Sequence, residues 1–233
     1  MQRSSRVDYD AIAERYDSTP HREKSADPEL IAFLAARRPT ASLTLLDIAC
    51  GTGNQQIANR NVAPNARFVG LDGSLGMLRQ ARRKMPDIRW VHGDCAALPF
   101  ASDSFDFICC QYAFHHFRDK AGMLRDAFRV LRHGGRFALY NTCPQESEDW
   151  LYYTYFPEAK TRDLADFWPP GVIVSQMAET GFTGGRGRAV ASPLRARSGG
   201  VVGRGATPRA EFATVVATRR GVPGRAAAHR TRH

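Results

Sequence analysis

The sequence predicts a doubly wound α/β fold built on a mainly parallel sheet. Two observations support this prediction: short apolar segments alternate with amphipathic ones, and several apolar segments are too hydrophobic to leave one sheet face in water. At 233 residues, of which 43% are hydrophobic, the chain is long enough to form one large domain. Right-handed crossovers would then place helices on both faces of the sheet.

Five strands and three connecting helices are predicted within residues 43–143. The strand segments are 43–48, 67–71, 88–92, 105–111 and 136–141. The helical segments are 54–61, 74–84 and 120–131. Gly134 and Gly135 follow the third helix, where a left-handed cap is favoured. The run FDFICC within the fourth strand is apolar at nearly every position, as a central parallel strand requires.

Two further segments are predicted on either side of these strands. Residues 1–42 form a polar, helical N-terminal segment, in which YDAIAERY places Tyr9 and Tyr16 on one helix face. The main α/β domain then covers residues 43–183. Within it, aromatic residues cluster in 144–170 and indicate a cap over the sheet, where they would line an apolar pocket or pack the cap.

The net charge of +10 is concentrated at the C-terminal end. Residues 184–233 hold 11 of the 33 basic residues and one of the 23 acids, so the preceding residues carry 22 of each sign. Gly, Arg and Ala dominate this segment, and its best strand candidate is FATVVAT, at 212–218. We therefore expect a mostly disordered tail and an incomplete or irregular sheet end. An out-of-frame reading of GC-rich coding sequence would produce the same composition, and it would leave an exposed sheet edge at 136–141.

Composition also limits the partners that we expect. Only Phe212 stands among the arginines of the tail, so base stacking and specific nucleic-acid binding are not expected. No apolar run approaches the roughly 20 residues of a membrane span, and the start lacks a signal-peptide pattern. The five cysteines contain no CxxC pair, which favours reduced thiols and a cytoplasmic location. The adjacent His115 and His116 point apart without a third ligand, so no metal site is expected.

The turn after the first strand is the predicted ligand site. Its sequence, DIACGTGN, contains Gly51 and Gly53, which remove side chains that would hold a ligand away from the backbone. A dinucleotide-binding loop would continue to a third glycine, but Gln56 stands in that register, and the lysine of a P-loop is also missing. Asp47, near the strand end, favours a ligand that carries a cationic amine.

Two further acids follow the next two strands. Asp72 lies about 20 residues past the glycine loop, where a carboxylate can accept both hydroxyls of a ribose. Asp94 can accept a hydrogen bond from an adenine amine, with the backbone of Cys95 and Ala96 completing that edge. Each acid alone is more often a helix cap or a turn residue. Three acids at successive strand ends predict an adenosine-binding cleft.

These segments resemble the class I S-adenosylmethionine-dependent methyltransferases. Within that class they are most similar to the small-molecule group that contains the ubiquinone and menaquinone-type enzymes. The resemblance covers about residues 7–183 and rests on LLDIACGTGN, FVGLDGS, VHGDCAALPFASDSFDFICCQYAFHHF and RVLRHGGRFALY. It implies a Rossmann-like methyltransferase fold, which ends in two more strands, the last antiparallel and inserted beside the fifth.

The resemblance implies S-adenosylmethionine as the cofactor and a small, lipophilic or aromatic methyl acceptor. The side chain of Met77 or Leu98 would lie against the adenine, and Gln111 would lie near the methionine part. The complete set of implied cofactor residues is Asp47, Ala49, Gly51, Gly53, Asp72, Gly73, Met77, Asp94, Cys95, Ala96 and Gln111.

The resemblance also implies a lid and an acceptor side. The N-terminal segment is similar to a YDxxAxxYD lid, so Tyr9 and Tyr16 would close the site, or their helix would simply pack on the sheet. Tyr153 and Phe156 of the cap would contact the acceptor. His116, just past the fourth strand, is the candidate general base, and a structural role is its alternative.

Two other functions fit parts of the sequence. A nicotinamide-dependent oxidoreductase would share the sheet, although the missing third glycine counts against it. The second alternative is a protein that binds the cofactor but turns over poorly, because the unusual C-terminal segment would help to form the acceptor side.

Overall fold

The computed structural model describes residues 7–18, 22–37, 42–146, 151–191 and 211–220. Within these residues, seven strands form one sheet in the order β3-β2-β1-β4-β5-β7-β6. The first five strands run parallel, and β7 is antiparallel to both of its neighbours. The strands are β1 Thr44–Ile48, β2 Arg67–Asp72, β3 Arg89–His92, β4 Phe105–Gln111, β5 Leu131–Thr142, β6 Phe182–Ala191 and β7 Glu211–Arg219.

Eight α-helices accompany the sheet in the described residues. They are α1 Tyr9–Tyr16, α2 Pro28–Ala35, α3 Asn54–Arg60, α4 Leu75–Lys84, α5 Lys120–Val130, α6 Leu151–Tyr155, α7 Pro157–Asp166 and α8 Pro170–Thr180. Side chains of Asp8, Asp27, Ser74 and Asp119 accept backbone N–H groups at four helix starts, as N-cap residues do. None of these described helices has both the length and the apolar character that a bilayer crossing demands.

The central strands are buried on both faces, which confirms the doubly wound fold. Leu45 and Leu46, adjacent on β1, belong to two separate hydrophobic clusters on opposite faces of the sheet. Phe107 and Ile108 divide in the same way on β4, and both are completely buried. Burying one such side chain contributes about 1.5–3 kcal/mol, so this central strand pair is a major source of stability.

The predicted glycine cap after α5 is wrong. The helix passes directly into β5, because Leu131 at its C-cap position is already extended. Gly134 does adopt a left-handed backbone, with φ +76°, but it lies inside β5. There the pairing with β4 is interrupted between Phe105 and Phe107, so the glycine accommodates an irregularity in the strand rather than the end of a helix.

The C-terminal segment contributes to the sheet, so the expected exposed edge at 136–141 is wrong. Strand β7 pairs with β5 from Arg136 to Thr142 and buries Val215 and Ala217 in the core. Residues 184–191 and 211–219 lie in strands, and β7 contains the strand candidate predicted at 212–218, whereas 192–210 and 221–233 lie outside the described residues. The sheet end is irregular, as predicted, because the β6–β7 register shifts between Thr183 and Arg186.

A side chain of β7 also anchors this strand to the end of α5. The guanidinium of Arg219 donates to the carbonyl oxygens of Phe128 and Arg129 at 3.1 Å, where α5 ends. It also forms an ion pair with Asp103 at 2.9 Å. A cation at the negative end of a helix dipole is stabilising, so Arg219 couples the last strand to the core.

Candidate active site

A cavity of about 860 Å³ opens at the carboxyl ends of β1, β2, β3 and β4. The strand order reverses at β1, because β2 lies on one side of it and β4 on the other. This is the position at which doubly wound sheets bind their ligands. Asp47, Asp72 and Asp94 all lie on the cavity wall.

Most of the residues predicted to contact the cofactor line this cavity. They are Asp47, Ala49, Gly51, Asp72, Gly73, Met77, Asp94, Cys95, Ala96 and Gln111. Gly53 is not part of the lining. Tyr9, Tyr16 and His116 do line the cavity, although they come from segments far apart in the chain.

The structure requires glycine at the two loop positions for different reasons. Gly51 has φ +54°, and a Cβ atom added there would meet no other atom within 4 Å, so its open side faces free space. At Gly53, with φ +80°, an added Cβ would lie 2.5 Å from the indole ring of Trp90 on β3. Gly51 therefore exposes its backbone to the cavity, whereas Gly53 lets α3 pack closely against the sheet.

Asp72 holds the glycine loop in place. One carboxylate oxygen accepts the N–H of Gly51 at 2.8 Å, and the other accepts the N–H of Ser74 at 2.8 Å. Burial raises the pKa of Asp72, and these backbone hydrogen bonds oppose that rise. Each carboxylate oxygen can accept a second hydrogen bond, so Asp72 remains able to bind hydroxyl groups in the cavity.

Asp47 is a fully buried carboxyl group at the base of the cavity. It lies between Gly70 of β2 and Cys109 of β4 in the sheet, and the Cys109 thiol is 3.5 Å from its Oδ1. Burial raises the pKa of Asp47 to about 7, whereas the Cys109 thiol and the ammonium of Lys24 lower it. A cationic ligand would favour the ionised form of this group.

The third acid is exposed and shapes a turn. Asp94 accepts the backbone N–H of Ala96 at 2.9 Å, so its carboxylate fixes the loop after β3. The neighbouring Cys95 is buried, and burial raises the pKa of its thiol to about 12. Cys95 is therefore an inert part of the wall, and the polar groups of this edge are the Asp94 carboxylate and the backbone.

Helix α1 covers the cavity through its two tyrosines. The hydroxyl of Tyr9 is 2.8 Å from Nε2 of His116, and burial raises the pKa of this phenol. The hydroxyl of Tyr16 accepts a hydrogen bond from Arg22 at 2.8 Å, and the Arg22 guanidinium lies over the Tyr16 ring. Both rings thus lie on the inner side of the helix.

The residue after each tyrosine anchors α1 to a neighbouring element. Asp10 accepts the N–H of Gly76 at 2.5 Å and the hydroxyl of Ser74 at 2.9 Å, both at the start of α4. Asp17 accepts the hydroxyl of Thr52 at 2.6 Å and pairs with Lys84 at 2.7 Å. In each Tyr-Asp pair of α1, the tyrosine ring therefore faces the cavity and the following carboxylate holds the helix in place.

The two adjacent histidines have different environments. His115 is clamped: its Nδ1 is 3.0 Å from Oδ1 of Asn141, and its ring stacks on Phe167 with 4.0 Å between centroids. Burial, followed by the neighbouring His116, lowers the pKa of His115 to about 4. His116 lines the cavity and His115 does not, so His116 is the imidazole available to a ligand.

The cap residues predicted to contact the acceptor do not line the described cavity. The hydroxyl of Tyr153 donates to Asp163 at 3.0 Å, within the α6–α7 pair. Phe156, at the junction of these helices, is 50% exposed to solvent. The Tyr153 contact stays within the cap, and the acceptor role of both residues remains a prediction.

Sequence reasoning missed Lys24, which lines the cavity beside Asp47 and Tyr112. It lies in a connection without periodicity, so no sequence signal distinguishes it from a surface lysine. Tyr112 was also missed, although its φ of +56° directly after β4 marks an unusual backbone. Gln111, which was predicted, lines the cavity and points its amide towards Asp27 at 3.5 Å.

Comparisons with known proteins agree with this geometry. A family model described as a methyltransferase domain matches residues 45–135. A demethylmenaquinone methyltransferase of Thermotoga maritima is 28% identical over 204 residues, which cover 75% of this chain and 86% of that protein. A 2-phytyl-1,4-naphtoquinone methyltransferase of Thermosynechococcus vestitus is 38% identical over 161 residues, which cover 60% of this chain and 72% of that protein.

Solved structures show the same fold. The crystal structure of an S-adenosylmethionine-dependent methyltransferase from Aquifex aeolicus superposes with a TM-score of 0.63 at 16% identity, and covers 92% of this chain and 100% of that one. The order of the described strands and the names of the sequence relatives both disfavour a nicotinamide-dependent oxidoreductase. The chain belongs to the class I S-adenosylmethionine-dependent methyltransferases.

Proposed function

We propose that this methyltransferase binds S-adenosylmethionine in the cavity at β1–β4 and methylates a small, lipophilic acceptor of the quinone type. The observation that carries the cofactor part is the common cavity of Asp47, Asp72 and Asp94, beside an open Gly51. The names of the relatives from Thermotoga maritima and Thermosynechococcus vestitus support the acceptor class.

The residues present fit an adenosyl sulfonium compound. Asp72, with acceptor capacity left on both oxygens, would bind the ribose hydroxyls. Asp94 and the backbone of Ala96 would take the adenine edge, and the buried Met77 would pack against the ring. Asp47 would lie near the positive charge of the cofactor.

When bound, S-adenosylmethionine supplies an electrophilic methyl group. The task of the chain is then to align the acceptor, and orientation of two reactants contributes on the order of 7–11 kcal/mol. Tyr9 and Tyr16 on α1 cover the cavity, and Tyr112 and Phe117 line it from the β4 side. These four rings provide apolar surface for an aromatic acceptor and keep water away from it.

His116 would act as the general base. A hydroxyaromatic acceptor must lose a proton when a methyl group is added, and the imidazole at the end of β4 faces the cavity. When the Tyr9 hydroxyl oxygen accepts the Nε2–H of His116, the lone pair of this imidazole lies on Nδ1, and the same contact orients the ring. His115 is a poor base, because its pKa is lowered to about 4 and Asn141 holds its Nδ1.

The proposal is tested by binding and by transfer. The full chain is titrated calorimetrically with S-adenosylmethionine and with NADH, and then incubated with methyl-labelled S-adenosylmethionine and reduced demethylmenaquinone. We expect binding of the first ligand only and label in the quinone extract. Asp94→Ala should weaken cofactor binding about tenfold. Asp87→Ala, a matched change at an ion-paired acid outside the cavity lining, should not. Preference for NADH would contradict the cofactor assignment, and label in another acceptor only would contradict the quinone.

A further inference from the structure

Asn141 is a buried polar side chain outside the cavity lining. It lies near the end of β5, is 1% exposed and pairs through its backbone with Ala213 of β7. Its Oδ1 is 3.0 Å from Nδ1 of His115, whereas its buried Nδ2 has no hydrogen-bond partner within the described residues. A buried amide with an unsatisfied group costs free energy that an apolar side chain of the same size would avoid. Asn141 therefore has a role other than stability, and its contact with His115 indicates that role.

The Asn141 amide fixes the position of the hydrogen on His115. Because Oδ1 can only accept, the facing Nδ1 of His115 carries the hydrogen, and Nε2 keeps the lone pair. The same ring stacks on Phe167, with 4.0 Å between centroids and 12° between planes. Phe167 is itself held, because its carbonyl oxygen accepts a hydrogen bond from Nε2 of Gln145 at 2.7 Å. His115 is thus fixed at its edge by β5 and on one face by the cap.

The ring of His115 lies directly beside that of His116, the candidate base. Their centroids are 3.8 Å apart, and their planes are inclined by 46°. His116 also contacts Tyr9 edge to face, with 5.6 Å between centroids and the Tyr9 hydroxyl 2.8 Å from Nε2. Tyr9, His116, His115 and Phe167 therefore form a row of four rings that links α1 to the cap past the end of β4. Within this row, a change in the orientation of His115 reaches His116 directly.

We propose that Asn141 is a positioning residue for methyl transfer, which holds His115 as a neutral ring protonated on Nδ1 and thereby keeps the His116 imidazole oriented towards the acceptor. The inference rests on the proposed function, in which His116 is the general base, and extends it to two side chains outside the cavity lining. Without the Asn141 bond, His115 rotates or changes its tautomer more freely, and His116 beside it adopts several orientations instead of one. Because a base acts only within hydrogen-bond reach of the proton that it removes, turnover then becomes slower.

The charge state of His115 matters for the same reason. When His116 accepts a proton, a second positive charge on a ring whose centroid is 3.8 Å away would oppose it. The titratable groups that face His115 are His116, Lys120 at the start of α5 and Asp166 at the end of α7. Burial, followed by His116 and Lys120, lowers the pKa of His115, whereas the Asn141 bond and Asp166 act in the opposite direction. His115 therefore stays uncharged beside the base at neutral pH.

The tautomer of His115 can be observed without any turnover. The full chain is labelled with nitrogen-15 in its histidines, and proton–nitrogen correlation spectra show which ring nitrogen carries the hydrogen, with His115→Phe to identify the signals. We expect the hydrogen on Nδ1 in the unmodified chain at neutral pH. Asn141→Leu keeps the size of the side chain but removes the acceptor, so the hydrogen should move to Nε2, as neutral histidine prefers in water. Hydrogen on Nε2 in the unmodified chain would overturn the inference.

Steady-state kinetics with the quinone acceptor test whether the effect reaches the base. Asn141→Leu should lower kcat roughly tenfold and leave the KM values of both substrates within about threefold. Asn61→Leu, the same change at an exposed position outside the cavity lining, should alter neither. His116→Ala should lower kcat roughly 100-fold. The double variant should be no slower than His116→Ala alone, because Asn141 acts through His116.

Other patterns would overturn the inference. If the two single effects multiplied in the double variant, Asn141 would act independently of His116. An unchanged kcat in a folded Asn141→Leu variant would also contradict the inference and would leave the proposed function intact. An unchanged kcat in His116→Ala would instead contradict the base role within the proposed function, and the inference with it. Asn141→Ala serves as the second variant if Asn141→Leu fails to fold, as judged by circular dichroism.

Discussion

The hydroxyl of Tyr9 lies 2.8 Å from Nε2 of His116, and this contact joins helix α1 to the segment that follows β4. The two residues are 107 positions apart in the chain. The Tyr9 side chain therefore covers the cavity and also contacts His116, the candidate base.

Removal of this hydroxyl should affect turnover more than cofactor binding. We expect Tyr9→Phe to lower kcat about tenfold, because the ring still covers the cavity while His116 loses its orienting partner. Steady-state kinetics with the quinone acceptor provide the measurement. Tyr155→Phe, at a side chain that is 71% exposed, is the control. An unchanged kcat in Tyr9→Phe would contradict a role for this contact in catalysis.

The carboxylate of Asp10 should control how firmly α1 is seated. Asp10→Ala removes the acceptor for Gly76 and Ser74, so α1 should detach more often from α4. Hydrogen–deuterium exchange of residues 9–16 should become roughly tenfold faster, as expected for a loss near 1.4 kcal/mol. Glu14→Ala, at an exposed position of the same helix, should leave the exchange rate unchanged. Equal exchange in both variants would show that Asp10 does not hold α1 against α4.

The two glycines of the loop should respond differently to the same substitution. Gly53→Ala places a Cβ 2.5 Å from Trp90 and should lower the free energy of unfolding by about 2–4 kcal/mol. A Cβ added at Gly51 meets no such obstacle, so Gly51→Ala should lower the free energy of unfolding by only about 1–2 kcal/mol. This loss comes from the positive φ at that position, which disfavours a residue with a side chain. Gly51→Ala should weaken S-adenosylmethionine binding. Urea unfolding and calorimetry measure the two effects, and a reversal of this order would contradict the assigned roles.

The buried Asp47 should make stability depend on pH. Its pKa rises to about 7 in the folded chain, so between about pH 4 and 7 the folded state retains a proton that the unfolded state has lost. Stability contributed by this group therefore falls as pH rises through that range. From pH 5 to 8 we expect a loss of about 2–3 kcal/mol that is absent in Asp47→Asn. Urea unfolding of the ligand-free chain at both pH values gives the comparison, and identical pH profiles would argue against the raised pKa.

Substitution of Arg219 tests whether β7 stabilises the fold. Arg219→Met removes the hydrogen bonds to the end of α5 and the ion pair with Asp103, so the free energy of unfolding should fall by about 2–3 kcal/mol. Arg220→Met, the neighbouring exposed arginine, should change it by less than about 0.5 kcal/mol. Equal stability of the two variants would mean that β7 is not docked as described.

Parallel strands and their ligand edge were predictable from local patterns. Periodicity identifies buried strands, and the carboxyl ends of parallel strands meet at one edge of a sheet. The sequence alone therefore allowed the prediction that Asp47, Asp72 and Asp94 lie around one cleft. The C-terminal strand has only a weak signal in the sequence, because Arg, Gly and Ala dominate the residues around it. In the structure this strand covers the edge beside β5 and buries Val215 and Ala217.

The sequence by itself determined the sheet, the glycine turn and the three acids at the strand ends, because these depend on residue type and on short-range spacing. Tertiary structure alone decided that Trp90 leaves no room for a side chain at position 53, that Asp10 anchors α1 to α4 and that Lys24 lines the cavity. Each of these contacts joins segments that are distant in the chain. Such contacts depend on which surfaces the packed sheet leaves uncovered, and no local pattern encodes that.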